Sequence, residues 1–260
     1  MAIDFNSLDN RFTYSTREAD LTWINKIKDI CDIKGKKVLD IGCGGGIYTK
    51  ALADMGASTV TGLDFSEQLL TSAKEKCKGC SNVDFKLGNA LDTKLHDEQY
   101  DVIIERAVIH HIQNLNECFK EGYRLLKRGG IFLIQDRTPE DCLLKGSSTN
   151  IRGYFFSKFP SLIDKEISRR YPSQKVLQIL QQTGFNDMKE YSLWETRKVY
   201  KHVDDLMKDI LNRTGRSLLY ELNDEQLKEL AAYIKNQMDL SNNETIIEKD
   251  RWTIWKATKF

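Results

Sequence analysis

The stretch Val38-Leu39-Asp40-Ile41-Gly42-Cys43-Gly44-Gly45-Gly46 decides the fold, because an apolar run leads there directly into clustered glycines. Residues 47–56 follow with helical spacing and end at a glycine. Glycine lets the backbone turn sharply and lets a ligand lie against it without a Cβ in the way. The segment therefore predicts a strand, a tight ligand-binding turn and a helix.

The alternation of apolar runs and amphipathic stretches continues outward from this segment to residue 136. Candidate strands lie at 36–42, 58–64, 82–88, 101–105 and 130–136. Candidate helices lie at 47–56, at 66–79 with Ser66 as N-cap, and at 114–130, closed by Gly129 and Gly130. This alternation is typical of βαβ units with right-handed crossovers. We therefore predict an α/β fold: a Rossmann-like, doubly wound, mostly parallel sheet in a cofactor-binding core at 36–138.

After Asp136 the pattern changes, and we predict a small helical lid or lobe inserted late in the chain. Residues 139–172 hold all three prolines and an aromatic-rich run, and are predicted as a lid-like excursion. Residues 173–197 are expected to return to the core, with a helix from Ser173 to Thr183 that stops at Gly184. Residues 198–243 have helical spacing and are predicted as a lobe, and 244–260 as a final core strand. We expect the excursion and the lobe to cover the cofactor site.

Composition limits the classes of partner. Lys and Arg number 39 against 38 Asp and Glu, which gives a net charge of +1 and no broad attraction to nucleic acid or to a membrane surface. No stretch reaches the roughly 18 consecutive apolar residues that a membrane-spanning helix requires, and the N-terminus has no apolar signal core. We therefore expect a soluble, cytoplasmic protein, whose oligomeric state the sequence leaves open.

The six cysteines are expected to be reduced thiols, since a chain of this length without a secretory signal is not a disulfide scaffold. Cys77 and Cys80 form a lone C-x-x-C. A structural zinc site needs about four ligands, and no second pair with suitable spacing follows. We therefore expect no metal.

The glycine spacing also bears on the cofactor. A dinucleotide-binding fingerprint would place a third glycine at the position of Ile47. The absence of that glycine weakens the case for a nicotinamide dinucleotide as cofactor. No phosphate-binding G-x-x-x-x-G-K-[ST] loop occurs either. Asp64 ends the next strand 22 residues after Gly42, where a carboxylate can accept hydrogen bonds from both hydroxyls of an adenosine ribose. Asn89 follows the third strand and can recognise an adenine edge, although either residue would also suit a turn or cap.

Five motifs follow one another along the predicted core: DIGCGGG at 40–46, LD at 63–64, GNA at 88–90, YDVIIERAVIHHI at 100–112 and RLLKRGGIFLIQD at 124–136. Over about residues 36–136 they resemble the class I S-adenosylmethionine-dependent methyltransferases, especially the type 11 small-molecule members. The resemblance implies S-adenosylmethionine as cofactor, with Asp40 and the glycine turn at its methionine end, Asp64 at the ribose, and Asn89 with Ala90 at the adenine. Many relatives carry Asp where this chain has Asn89, but Asn can still accept from the adenine amino group.

The resemblance further implies that residues 1–35 fold over the cofactor as a helical flap; simple docking of a helix containing Trp23 on the sheet is the alternative. The full set of candidate cofactor-binding residues is Tyr14, Asp40, Gly42, Cys43, Gly44, Asp64, Phe65, Asn89, Ala90, Glu105 and Arg106.

The charged pair Glu105-Arg106 stands where the family often has small residues. Arg106 would either bind the carboxylate of the cofactor or form an ion pair with Glu105 or a neighbour. His110 and His111 follow the fourth strand and are the candidate catalytic residues, because a histidine near the transfer site can take a proton from a nucleophile. The alternative is a structural histidine.

The sequence thus predicts a methyltransferase that moves a methyl group from S-adenosylmethionine to a small-molecule acceptor by in-line displacement. An NAD-dependent oxidoreductase and a non-catalytic binding module on the same fold are the alternatives. The acceptor is not identified, because aromatic residues such as Tyr154 and Phe155 are compatible both with an apolar pocket and with a core.

Overall fold

The computed structural model describes residues 18–238 and 245–260, so the candidate Tyr14 lies outside the described residues. The strands are Lys37–Ile41 (β1), Thr59–Asp64 (β2), Val83–Leu87 (β3), Tyr100–Arg106 (β4), Leu126–Asp136 (β5), Asn186–Tyr200 (β6) and Ile246–Thr258 (β7). The α-helices are Leu21–Ile30 (α1), Ile47–Asp54 (α2), Glu67–Lys76 (α3), Leu115–Leu125 (α4), Pro139–Cys142 (α5), Gly153–Lys158 (α6), Leu162–Ile167 (α7), Ser173–Thr183 (α8), Val203–Leu211 (α9) and Asp224–Met238 (α10). Single 3-10 turns occur at Ile109–His111 and Ser217–Glu221.

The strands form one seven-stranded sheet in the order β3-β2-β1-β4-β5-β7-β6. Strands β1 to β5 run parallel, and β7 pairs antiparallel with β5. Strand order reverses between β1 and β4, which is the switch point where open α/β sheets bind ligands at their carboxyl edge. The predicted doubly wound, mostly parallel α/β sheet is therefore confirmed.

The described chain divides into two compact units. One, here called the sheet unit, comprises residues 18–136, Tyr171–Leu193 and Thr253–Phe260. The other, here called the second unit, comprises Arg137–Arg170 together with residues 194–238 and 245–252.

Each unit has its own apolar core. In the sheet unit, Leu39, Phe119 and Phe132 are completely buried between strands and helices, and Trp255 of β7 joins them. In the second unit, the core is formed largely by α6, α9 and α10, whose buried members include Leu206. Burial of apolar area at about 25 cal/mol per Å² is the main force that stabilises both.

Local signals place most helix ends where the sequence predicts them. Ser66 caps α3 by accepting from the Leu69 amide at 3.3 Å. Helix α8 spans Ser173–Thr183 and ends at Gly184, whose φ of 106° is left-handed. Such a residue satisfies helix carbonyls that lack partners, and glycine adopts the conformation without a Cβ penalty.

The predicted end of α4 is wrong. The helix stops at Leu125, and residues 126–130 already belong to β5 rather than to a helix closed by Gly129 and Gly130. Leu126 is fully buried and pairs with Tyr100, so packing against β4 overrides the helical pattern.

Within the described residues, no helix is both long enough and apolar enough to cross a membrane.

Candidate active site

The glycine turn between β1 and α2 is held against the neighbouring strand by its backbone. The amides of Gly42 and Cys43 both donate to the Leu63 carbonyl, at 2.7 and 3.0 Å. Gly42 has a φ of 71°, and a Cβ there would lie 2.3 Å from the Val108 side chain, so only glycine fits. A Cβ on Gly44 or Gly45 would meet nothing within 4 Å. This part of the turn therefore presents bare backbone that a ligand can approach.

Asp64, at the carboxyl end of β2, is bound to the same turn. The Gly44 amide donates to its Oδ2 at 2.8 Å and the Ser66 amide to its Oδ1 at 3.0 Å. Burial raises the pKa of Asp64, while the amides of Ser66, Gly44 and Phe65 act in the opposite direction. Asp64 thus fixes the glycine turn, and it is also the carboxylate at the position predicted for a ribose.

Asp40 lies below the turn near the end of β1 and is 2 % exposed. Thr49 of α2 donates to its Oδ2 at 2.6 Å. Burial is the largest cause that raises the pKa of Asp40 to about 7; Asp64 raises it further, and the Thr49 hydrogen bond and Arg106 lower it. A cationic group brought close to Asp40 would favour its charged form.

Arg106 ends β4 on the same sheet face as Asp40, since Asp40 pairs with Ile104 and side chains alternate along a strand. Its guanidinium lies 4.0 Å from the centre of the Tyr48 ring. Tyr48 in turn packs edge-on against Trp23 of α1, with ring centres 4.7 Å apart. The Arg106 guanidinium is therefore packed against a ring that is itself packed against α1.

Glu105 occupies the opposite face of β4 and is fully buried. The Cys118 thiol of α4 donates to its Oε1 at 3.2 Å, and within the described residues its Oε2 has no hydrogen-bond partner. Burial raises the pKa of Glu105 to about 8; the Cys118 hydrogen bond lowers it and Asp136 raises it. In the described part of the chain, Glu105 and Arg106 do not form the ion pair that the sequence left open, because neighbouring strand residues point to opposite faces.

His110 lies in the 3-10 turn after β4, and it is paired with Asp136 at the end of β5. Its Nδ1 is 2.8 Å from Asp136 Oδ2 and 3.1 Å from Oδ1, and its own amide donates to Oδ2 at 3.3 Å. The His110 side chain is 10 % exposed, whereas His111 is exposed, and the two rings lie 4.0 Å apart. A carboxylate at Nδ1 fixes the ring orientation and favours the tautomer whose lone pair is on Nε2.

The candidate adenine residues lie after β3. Asn89 is exposed and its Oδ1 accepts from the Leu91 amide at 2.9 Å, which closes a local turn. Ala90 packs partly against the core. Phe65 follows β2 and is 63 % exposed, a high value for an aromatic side chain. Asn89 therefore has the turn role that the sequence left open, while Phe65 follows the carboxyl end of β2.

Comparison with known proteins agrees with this arrangement. Residues 39–134 match the family model described as a methyltransferase domain. The matched residues start just before the glycine turn, include Asp64, Arg106 and His110, and end just before Asp136.

The curated relatives match the same region. A ubiquinone biosynthesis O-methyltransferase of Pseudomonas entomophila (strain L48) is 35 % identical over 126 residues, which are 46 % of this chain and 53 % of that protein. The chain therefore spans about half the length of the curated relatives it matches.

Solved structures extend the likeness of fold beyond residues 39–134. One is similar over 95 % of this chain and 100 % of its own, with a TM-score of 0.69 and 20 % identity: a putative methyltransferase from an antibiotic biosynthesis pathway of Anabaena variabilis. Another is Haemonchus contortus phosphoethanolamine N-methyltransferase 2 in complex with S-adenosyl-L-methionine, with a TM-score of 0.59 and 18 % identity over 99 % of this chain and 60 % of that one.

Two groups that sequence reasoning missed belong to this site. Asp136 pairs with His110, and the ring of Tyr48 packs against the Arg106 guanidinium. Asp136 had a usable signal, since it ends a strand as Asp64 does and such positions meet at one edge of a parallel sheet. No sequence pattern marks Tyr48 as a site residue, because it lies in an ordinary amphipathic helix.

Proposed function

We propose that this protein is a cytoplasmic methyltransferase that moves a methyl group from S-adenosylmethionine to a small-molecule acceptor. The observation that carries the proposal is the pairing of open glycine backbone at Gly44 and Gly45 with the Asp64 carboxylate at the carboxyl edge of a methyltransferase domain. None of the six cysteines, all of which lie in the described residues, forms a disulfide in the structure, as is usual for cytoplasmic proteins.

The residues present fit this cofactor. Asp64 offers its remaining lone pairs to the two ribose hydroxyls, and the exposed ring of Phe65 stacks on the adenine. Asp40 and Arg106, which share a sheet face, bind the ammonium and carboxylate of the methionine end. The turn at Gly44, where no side chain is in the way, leaves room for the part of the cofactor that joins its ribose to its methionine end.

The cofactor supplies a methyl group on a positively charged sulfur, which is already activated for displacement. The protein therefore has to place the acceptor atom in line, exclude water and, where the acceptor carries a proton, remove it. His110 is the proposed general base: Asp136 holds its Nδ1, and its Nε2 takes the proton of the acceptor. His111, whose exposed ring lies beside that of His110, is the second candidate for the general base.

Calorimetric titration with S-adenosylhomocysteine, and separately with NAD, tests this proposal. We expect saturable one-to-one binding of S-adenosylhomocysteine and none of NAD, because Ile47 replaces the third glycine of a dinucleotide turn. Binding of NAD alone would favour an oxidoreductase. Binding of neither would favour a module that retains the fold without the cofactor.

A further inference from the structure

The C-x-x-C pair at the end of α3 lies beside the glycine turn. Cys77 is the C-cap of α3 and is 5 % exposed. Its thiol donates a weak hydrogen bond to the Gly46 carbonyl, with Sγ at 3.8 Å. The Lys50 amide donates to the same carbonyl at 3.0 Å, because Gly46 is the N-cap of α2. The Cys77 thiol therefore contacts the residue that joins the glycine turn to its helix.

Backbone contacts couple the glycine turn to the last turn of α3. A Cβ on Gly46 would lie 3.0 Å from both Cα and Cβ of Ala73, so the two segments are in direct contact. The Cys77 amide donates to the Ala73 carbonyl at 2.9 Å. Since protein interiors are close-packed, a change at Cys77 is transmitted to Gly46 and to the rest of the turn.

The backbone between the two cysteines forms a tight turn. The Cys80 amide donates to the Cys77 carbonyl at 2.9 Å, and Gly79 between them has a φ of 94°, which glycine adopts without strain. The Cα atoms of the first and fourth residues of such a turn are less than about 7 Å apart. A disulfide needs a Cα separation of about 4.4–6.8 Å, so the turn suits one.

The two thiols differ in exposure as a stepwise oxidation requires. Cys80 is half-buried, whereas the other five cysteines of the chain, all in its described part, are buried. Burial and the neighbouring Cys80 raise the pKa of Cys77 to about 11, so its thiol is seldom ionised at neutral pH. An external disulfide therefore reaches Cys80 first, and Cys77 closes the bond.

We propose that Cys77 and Cys80 form a redox-active dithiol whose oxidation by a small-molecule disulfide weakens cofactor binding at the glycine turn; the effect on the cofactor rests on the proposed function. The Cys80 thiolate attacks one sulfur of the external disulfide and releases one thiolate. Cys77 then attacks the Cys80 sulfur of the mixed disulfide and releases the second thiolate, which takes the Cys77 proton. One S–S bond forms as another breaks, and two electrons pass to the small molecule.

Oxidation changes the glycine turn in a defined way. The Cys77 sulfur of the disulfide carries no proton, so the Gly46 carbonyl loses the hydrogen bond that the thiol donates. Gly46 follows the Gly44 amide that binds Asp64 by two residues. The change therefore acts on the part of the turn that is proposed to bind the cofactor.

Treatment of the full chain with glutathione disulfide, followed by peptide mass mapping, tests the disulfide without any cofactor. We expect the peptide that contains Cys77 and Cys80 to lose the mass of two hydrogen atoms, and dithiothreitol to restore it. Cys80→Ser should show no such loss. Cys142→Ser is the matched control, because it removes a buried thiol of the second unit, and it should oxidise like the unmodified chain. A peptide that keeps its full mass in the unmodified chain would overturn the proposal.

Amide exchange and calorimetry measure the effect on the turn. Oxidation should speed exchange of the Lys50 amide, whose acceptor is the Gly46 carbonyl, in the unmodified chain but not in Cys80→Ser. Affinity for S-adenosylhomocysteine should fall by about fivefold or more, the lower end of the usual coupling between two sites. A reduced chain that does not bind S-adenosylhomocysteine would contradict the proposed function, and the exchange rate of Lys50 would then decide this inference. An affinity or, in that case, an exchange rate that oxidation leaves unchanged would overturn it.

Discussion

The two halves of the sheet edge hold their functional groups by different means. Where β1 and β2 end, backbone amides hold the site: the Gly44 amide binds Asp64, and the Gly42 amide binds a carbonyl of β2. Where β4 and β5 end, side chains hold each other: Asp136 orients His110, and Cys118 binds Glu105. The first half follows from the path of the chain, whereas the second depends on which side chains are present.

This difference separates two tasks that the proposed reaction requires. Backbone donors are present whatever the side chains, so the first half suits a constant ligand such as a cofactor. The His110–Asp136 pair can be exchanged without changing the strands, so this pair suits the variable chemistry of an acceptor, whereas Arg106, at the end of β4, is proposed to bind the cofactor. Variants of Asp64 and of His110 should therefore alter different measurements.

The largest expected effect belongs to the second half. His110→Ala should lower turnover by about 10²–10⁴-fold, because it removes the proposed general base. Affinity for S-adenosylhomocysteine should change little, since Asp64 and the glycine turn are untouched. Steady-state turnover with an accepted methyl acceptor, together with calorimetry, checks both statements.

His96→Ala is the matched control, because His96 is exposed and lies outside the site; its turnover should be that of the unmodified chain. A purely structural His110 would instead lower the melting temperature and weaken binding and turnover together. Full turnover in both His110→Ala and His111→Ala would exclude a histidine base and leave positioning as the catalytic device.

The next effect belongs to the first half. Asp64→Ala should weaken S-adenosylhomocysteine binding by about 1.5–3 kcal/mol, the range for hydrogen bonds to a charged group. Turnover at saturating cofactor should fall much less, because the His110–Asp136 pair remains. Asp84→Ala, which removes an exposed carboxylate from β3, should leave the affinity unchanged. An unchanged affinity in folded Asp64→Ala would contradict the ribose assignment.

The sequence predicts the first half better than the second for a physical reason. The glycine turn, Asp64 and the Ser66 cap are set by local backbone geometry, so a few neighbouring residues reveal them. The partners of His110 and Glu105 lie 26 and 13 residues away, and no local pattern records such contacts.

The second unit shows the same limit more strongly. Its buried acid Glu166 and the arginines that bind it, Arg152, Arg169 and Arg170, lie in a segment that the sequence presents as a proline- and aromatic-rich excursion. The helices there were expected, but the charge cluster was not, because a charge run is usually a solvated face. The predicted covering of the cofactor site by this segment stays a prediction.

The smallest effect concerns the buried acid beneath the second half. The pKa of Glu105 is raised to about 8 in the folded state, while an unfolded glutamate titrates near its ordinary value. Between these values the folded chain binds more protons than the unfolded chain, so the free energy of unfolding falls as pH rises, by up to about 1.4 kcal/mol per pH unit. Glu105→Gln cannot titrate and should reduce this slope between about pH 5 and 8, measured by urea unfolding at several pH values, while the buried Asp40 keeps its own share of the dependence. Glu117→Gln, at an exposed position of α4, should keep the slope of the unmodified chain. Equal slopes of unfolding free energy against pH in the unmodified chain, Glu105→Gln and Glu117→Gln would show that Glu105 is ionised when buried. The Asp136 carboxylate would then be repelled by a charged Glu105.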